Sequence, residues 1–260
     1  ELPTPWLTER HGYDPTFALS FTALATIFGC SRQTIQRIFH DTLDILAKWY
    51  VPDAVFWPTR DIIEENKPEC FKVDYPDTRV VVDCTEFRAE IPSGLHFRNC
   101  MWSNYKACHT IKCLIAIAPN GSIIFVSPMY GGRASDTNIT ADSGMLDYLE
   151  AGDLVLGDKG FPGITADLDD VVTIMPPKLA TKQTRYTKEE VAATRRVARV
   201  RIHVERVIQR MKCFDILNNR IPTNLFKYAD QFVPLIAAAV NLDYPILKPK
   251  KPTPAATSPS

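Results

Sequence analysis

Apolar residues recur at two different periods along this chain, and the change of period divides it. Before about residue 70 the spacing is three and four. Ser20 opens Phe21-Thr-Ala-Leu-Ala-Thr-Ile-Phe28, and Gly29-Cys30-Ser31 interrupts it. Ser31 is then placed to cap a second helix, in which Ile35, Ile38, Phe39, Leu43, Leu46 and Ala47 form one apolar stripe towards Tyr50. Two helices joined by a short Gly-containing turn fit a helix-turn-helix, expected within residues 1–52. Arg32, Gln33, Gln36 and Arg37 stand at the start of its second helix, where such units face the major groove. A plain helical hairpin used for packing has the same spacing. The polar residues at that helix start favour DNA contact or its evolutionary remnant.

Residues 53–76 hold Pro58, Pro68 and Pro76 and an acidic run, and read as a connector, helical around 60–65. Residues 77–245 change to short β-branched runs. Arg79-Val-Val-Val-Asp83 reads as a buried strand ending in an acid. Residues 110–117 and 122–126 flank Pro119-Asn120-Gly121, a hairpin signal. A helical stretch is expected around 145–149, then strands at Leu154-Val-Leu156 and 171–175. Thr187-Lys-Glu-Glu190 resembles a capping box opening a long helix to about Lys212, and a last apolar helix is expected over 232–242. The order is an α/β one: a strand, a hairpin pair, then strands alternating with helices. It matches an RNase H-like domain, a mixed sheet flanked by helices, although many α/β folds share it. Residues 246–260, rich in Pro, Lys and Ser, are expected to be a disordered tail.

Composition is that of an ordinary globular protein, 45% hydrophobic and 23% charged. No apolar run approaches the roughly 18 residues of a membrane span, and no signal peptide is visible. The first residue is Glu1 rather than Met, so the chain is read as a fragment or a processed form. The expected location is the nucleus in a eukaryotic cell, or otherwise the cell interior. Seven cysteines follow no disulfide-like series. Cys108 and Cys113 bracket a histidine, but no second Cys/His pair follows at zinc-finger spacing, so reduced thiols are expected.

Net charge is zero, yet it is segregated. Between Arg195 and Lys212 stand seven basic residues (Arg195, Arg196, Arg199, Arg201, Arg206, Arg210, Lys212) and one acid, Glu205. Clustering of that kind, more than net charge, is what binds phosphates. Within the same helix Val197, Val200, Val204, Val207, Ile208 and Met211 make the apolar stripe, and Glu205 lies beside it. Asp83 ends the first strand, and Asp158 follows the strand at 154–156 in Gly-Asp-Lys-Gly. Each acid alone is most often a turn, a cap or half of a helix ion pair. Together they suit phosphodiester cleavage, in which two divalent ions activate the nucleophile and stabilise the leaving 3′ oxygen. Magnesium or manganese prefers such oxygen ligands. Arg201, Arg206 and Arg210 would grip DNA phosphates.

Five motifs carry a family likeness: Val-Val-Val-Asp83-Cys-Thr-Glu-Phe, Trp102-Ser-Asn-Tyr-Lys106, Gly131-Gly-Arg-Ala-Ser-Asp136, Leu156-Gly-Asp-Lys-Gly-Phe161 and Val200-Arg-Ile-His-Val-Glu-Arg206. In this order and spacing the chain resembles the DDE superfamily endonucleases, and within them the Harbinger-type and insertion-sequence-related transposases. The helix pair at 20–50 resembles the segment that precedes their catalytic domain. The resemblance implies an RNase H-like nuclease using magnesium or manganese to cut transposon ends and transfer strands, with DNA as partner, a homo-oligomer as an option and no organic cofactor. Its metal-binding acids fall on Asp83, Asp158 and Glu205. Asp136 also matches a motif and is a contender for the second position; Asp158, after a short apolar strand, is preferred, because Asp136 follows a glycine pair and is placed to cap the next helix. The alternative is a domesticated descendant that binds DNA or a partner without cutting. A transcription factor with the α/β part as a scaffold would leave the acids and the basic helix unexplained. Trp102, Tyr105 and Lys106 suit either packing or DNA contact. His203, on another face of the helix from Glu205, is expected to be structural.

Overall fold

The structure, a computed structural model, describes residues 19–158, 172–174 and 187–243. The expected tail at 246–260 and residues 159–161 of the Gly-Asp-Lys-Gly-Phe motif lie outside the described residues.

Helix α1 (Phe21–Phe28) is capped by Ser20, whose hydroxyl accepts the Ala23 N–H at 3.2 Å, and ends at Gly29 in the left-handed region, φ 62°. Ser31 caps α2 (Arg32–Ile45) by accepting the Thr34 N–H at 3.0 Å. The pair closes through Phe21 and Phe39, with ring centroids 5.3 Å apart. A π-helical turn (Leu46–Tyr50) follows, then three short helices: α3 (Val51–Ala54), α4 (Arg60–Asn66) and α5 (Glu69–Asp74). The expected stripe on α2 holds only in part. Ile35 and Leu43 are buried, whereas Ile38 is 51% exposed because α2 packs along one narrow line.

The remainder is α/β. Its elements are β1 (Thr78–Arg88), α6 (Leu95–Met101), β2 (Trp102–Ser103), β3 (Cys108–Ile117), β4 (Ile123–Val126), β5 (Tyr130–Gly131), α7 (Asp136–Asp142), β6 (Leu154–Leu156), β7 (Val172–Ile174), α8 (Lys188–Met211), α9 (Asp215–Asn218) and α10 (Ala229–Asn241). A 3₁₀ turn (Met145–Tyr148) stands where helix was expected, started by Gly144 at φ 78°. Among the described residues seven strands form one mixed sheet in the order β2-β3-β1-β6-β7, with β4 and β5 on the outer edge of β3. β1 pairs antiparallel with β3 and parallel with β6, and β6 pairs parallel with β7. The described helices flank the sheet, and the whole fits an RNase H-like domain.

Two-residue alternation sorts β1 between two cores. Val81 and Phe87 join Val200, Val204, Val207 and Met211 of α8 and Val233 of α10 in one cluster. Val80 and Val82 face the other way, with Leu114, Ile139 of α7 and Met145. Val80, Val81 and Val82 are wholly buried, each worth roughly 1.5–3 kcal/mol. β1 is thus a rigid central rail, and whatever follows Val82 is fixed in place.

Candidate active site

Val81 on β1 lies beside Leu156 on β6 in parallel register. Asp83 and Asp158 come two residues later on their respective chains. Strand alternation puts Asp83 on the face that Val81 and Leu156 share with α8, within electrostatic reach of Asp158. Glu205 projects from α8 towards the same place. Arg201, one turn earlier on α8, bridges the other two elements: its guanidinium stands 3.4 Å from Asp158 Oδ1 and 3.9 Å from Glu205 Oε1. Asp83 is drawn into the same field. Burial pushes its carboxyl up to about 6; Arg201 pulls it down, and Asp158, Asp136 and Glu205 add to the rise. The three acids thus share one electrostatic field, with Arg201 as counter-charge. Among the described residues no three His, Cys, Asp or Glu side chains are gathered closely enough to hold one metal ion. The donor set, carboxylate oxygens on rigid elements, nevertheless fits a hard divalent cation.

Asp136 stands on the opposite face. As the first residue of α7 it follows Ser135, which caps that helix by accepting the Asn138 N–H at 3.1 Å. The expected capping role therefore falls to Ser135. Asp136 pairs with Lys112 Nζ at 2.6 Å, and the same ammonium lies 4.0 Å from Glu86, its cross-strand partner. Glu86 also accepts the Thr110 hydroxyl at 2.9 Å. Glu86 and Lys112 project with Cys84 and Leu114, away from α8. The preceding glycines let this loop lie tight. A Cβ on Gly132 would collide with Thr110 Oγ1, and one on Gly131 with the Cys100 carbonyl.

Of the expected DNA-contacting residues, Arg32, Gln33 and Arg37 are exposed on α2, and Gln36 is half-buried. Arg206 is exposed on α8, whereas Arg201 turns in to the acids and Arg210 pairs with Asp243 at 3.8 Å. His203 is buried beside Phe71, with its pKa lowered by burial and by Arg206. Lys212, read in the sequence only as one of seven clustered basic residues, belongs to the surroundings of the acids. Burial and Lys106 lower its pKa, while Asp83 and Glu86 raise it. The available signal was helical spacing: 201, 205 and 212 follow one another at four and seven residues, a single helix face.

Asp83, expected to end the first strand, lies inside it, because β1 continues to Arg88 in pairing with β3. One acid inside the central strand, a second just beyond the end of its parallel neighbour and a third on a packed helix fit a nuclease-like domain. The family model for the DDE superfamily endonucleases matches residues 82–241, more than half the chain, and this protein belongs to that family. It is 31% identical over 177 residues to a probable transposase for insertion sequence element IS702 from Microchaete diplosiphon. That match takes in 66% of this chain and 59% of the relative, so the chain spans well under two thirds of that protein. No solved structure matches. None of the described helices is long and apolar enough to cross a membrane.

Proposed function

We propose that the protein is a metal-dependent DNA endonuclease acting as a transposase, which cuts phosphodiesters at element ends and transfers the strands, with Asp83, Asp158 and Glu205 as its metal-holding acids. The observation that supports this reading most is Arg201 of α8, which reaches both Asp158 and Glu205 and acts on Asp83 in the same field. Family membership and the likeness to a probable transposase support it. Bound by these acids, a pair of magnesium or manganese ions would supply an activated nucleophile and stabilise the leaving oxygen.

The chain's own residues do the rest. Asp83 must be ionised to act as a ligand, and its raised pKa holds part of that charge back until about pH 6. Arg201 keeps Asp158 and Glu205 turned towards each other across the gap between strand and helix. Arg206 is exposed for a phosphate, and Arg32, Gln33, Gln36 and Arg37 supply a duplex-reading face. The direct test incubates purified protein with labelled duplex carrying the DNA that flanks its coding sequence, with and without magnesium or manganese. Metal-dependent cutting is expected. Binding without cutting under every metal condition would sink the endonuclease reading and favour a domesticated DNA-binding descendant.

A further inference from the structure

We propose that the arm joining β1 to β3, residues 89–107, is a docking surface for an unpaired DNA strand leading to the carboxylate site, with Tyr105 as the ring on which a base stacks. The inference deepens the DNA-cutting reading above and rests on it.

Within the arm, Glu90 is the sole acid, and from Ile91 to Ala107 the chain carries Arg98, Lys106 and His96 and no Asp or Glu, in a protein whose net charge is zero. Tyr105 is 85% exposed and Trp102 41% exposed. Both rings sit on a well-braced tip. Trp102 pairs with His109 and Ser103 with Cys108, and the two rings of the first pair are 5.2 Å apart. Ser103 Oγ accepts the Lys106 N–H at 3.1 Å, and Ala107 holds the turn at φ 50°, a conformation that side chains other than glycine rarely adopt. The rings are presented in advance, so little ordering is needed on binding.

The Lys106 ammonium lies 4.9 Å from the centre of the Tyr105 ring, so the aromatic surface comes with its own cation. Lys106 and Asp83 both act electrostatically on Lys212, which therefore stands between the arm and the acid. The end of β1 at Arg88 pairs with Thr110 at the start of β3. Five residues of strand from Asp83 to Arg88, at ~3.3 Å each, place the arm on the order of 17 Å from the acid. That is about five steps of duplex rise at ~3.4 Å per step.

The choice of an unpaired strand follows from the rings. Inside a duplex both faces of each base are covered by neighbours, and phosphates alone would need only cations. An exposed ring gains from a base whose face is open, and every base has one, so such a contact tolerates any sequence. Cuts staggered between the two strands would leave such unpaired ends beside the acids.

The test uses the full chain in EDTA, which prevents cutting, with a fluorescein-labelled mixed-sequence single strand of ~16 nucleotides and the matching duplex. Tyr105→Ala should weaken single-strand binding ~10-fold and leave duplex binding nearly unchanged, while Tyr105→Phe restores it. Lys106→Ala should reduce the salt slope by about one. Both changes lie on an exposed turn, so the fold is not at stake. Equal binding by wild type and Tyr105→Ala, or an equal loss on single strand and duplex, would overturn the docking surface. A protein that cuts DNA with metal yet ignores Tyr105 would refute the arm and leave the nuclease standing. One whose single-strand binding needs Tyr105 but which never cuts would support the arm and refute the nuclease.

Discussion

On the α8 face of the sheet Arg201 reaches Asp158 and Glu205 and acts electrostatically on Asp83, and Asp158 and Glu205 keep 47% and 56% of their side-chain surface in solvent. On the other face Glu86 and Asp136 share Lys112, and keep 9% and 28%. Both groups mix Asp and Glu with one long cation, and both grow from β1 and its neighbours. They differ in balance and access. The Lys112 group is closed by hydrogen bonds from Thr110 and to the Ala134 carbonyl, the arrangement of a brace. In the Arg201 group burial pushes Asp83 up to about 6 and the neighbouring carboxylates add to the rise, while Asp158 and Glu205 stay open to water. Excess like charge held in place on rigid elements is costly in a folded chain, and it is the usual mark of a site that meets a cation.

The comparison breaks most visibly in activity. Asp83→Ala, Asp158→Ala and Glu205→Ala should each reduce metal-dependent cleavage by roughly a thousandfold or more, as loss of a direct charge-stabilising group does. Asp136→Asn should cost only ~10–100-fold, the range for a residue that acts through its neighbours. Cleavage assays on the four variants decide between the faces; equal losses would erase the distinction. Stability should run the other way. Lys112→Met leaves Glu86 and Asp136 facing each other with little solvent, and urea unfolding should show a loss of about 3 kcal/mol or more. Arg201→Met, whose partners are half in water, should cost about 1 kcal/mol or less in the absence of metal.

A third effect depends on pH. The folded-state pKa of Asp83 is about 6 against an ordinary 3.8, so between these values the native state binds more protons than the unfolded chain. Its ionisation therefore subtracts stability as pH rises through that window. Asp83→Asn should stabilise the protein above pH 6 by up to about 3 kcal/mol, less as solvent screens the site, and the gain should fade towards pH 4. Denaturant melts across that range would show it, and a gain independent of pH would assign the effect to packing. The smallest expected change is at the helix pair: Arg37→Ala should lower the salt slope of duplex binding by about one, with the fold intact.

Much of this layout was legible in the chain. Val80 to Val82 announced a strand buried on both faces, Pro119-Asn120-Gly121 announced the β3–β4 hairpin, and the valines of α8 announced the face it buries. Local periodicity suffices for these, because each depends on residues close in sequence. Which face an acid occupies does not. Asp136 pairs with Lys112, whose place depends on a register formed across 26 residues, with Lys112 of β3 opposite Glu86 of β1. Arg201 was read as a phosphate contact, and its inward turn depends on Asp158, 43 positions earlier. Ile38, expected in the core, lies outside because a pair of short helices offers a core only one side chain wide. The sharp bends that shape α6, β2 and the Tyr105 turn left no periodic trace.

The most direct test of the central claim is manganese binding, followed by electron paramagnetic resonance above pH 6 in wild type, Asp158→Asn and Asp136→Asn. If the α8 face holds the metal, Asp158→Asn loses tight binding while Asp136→Asn keeps most of it. Binding that survives Asp158→Asn and vanishes with Asp136→Asn would contradict the account and move the metal to the other side of the sheet.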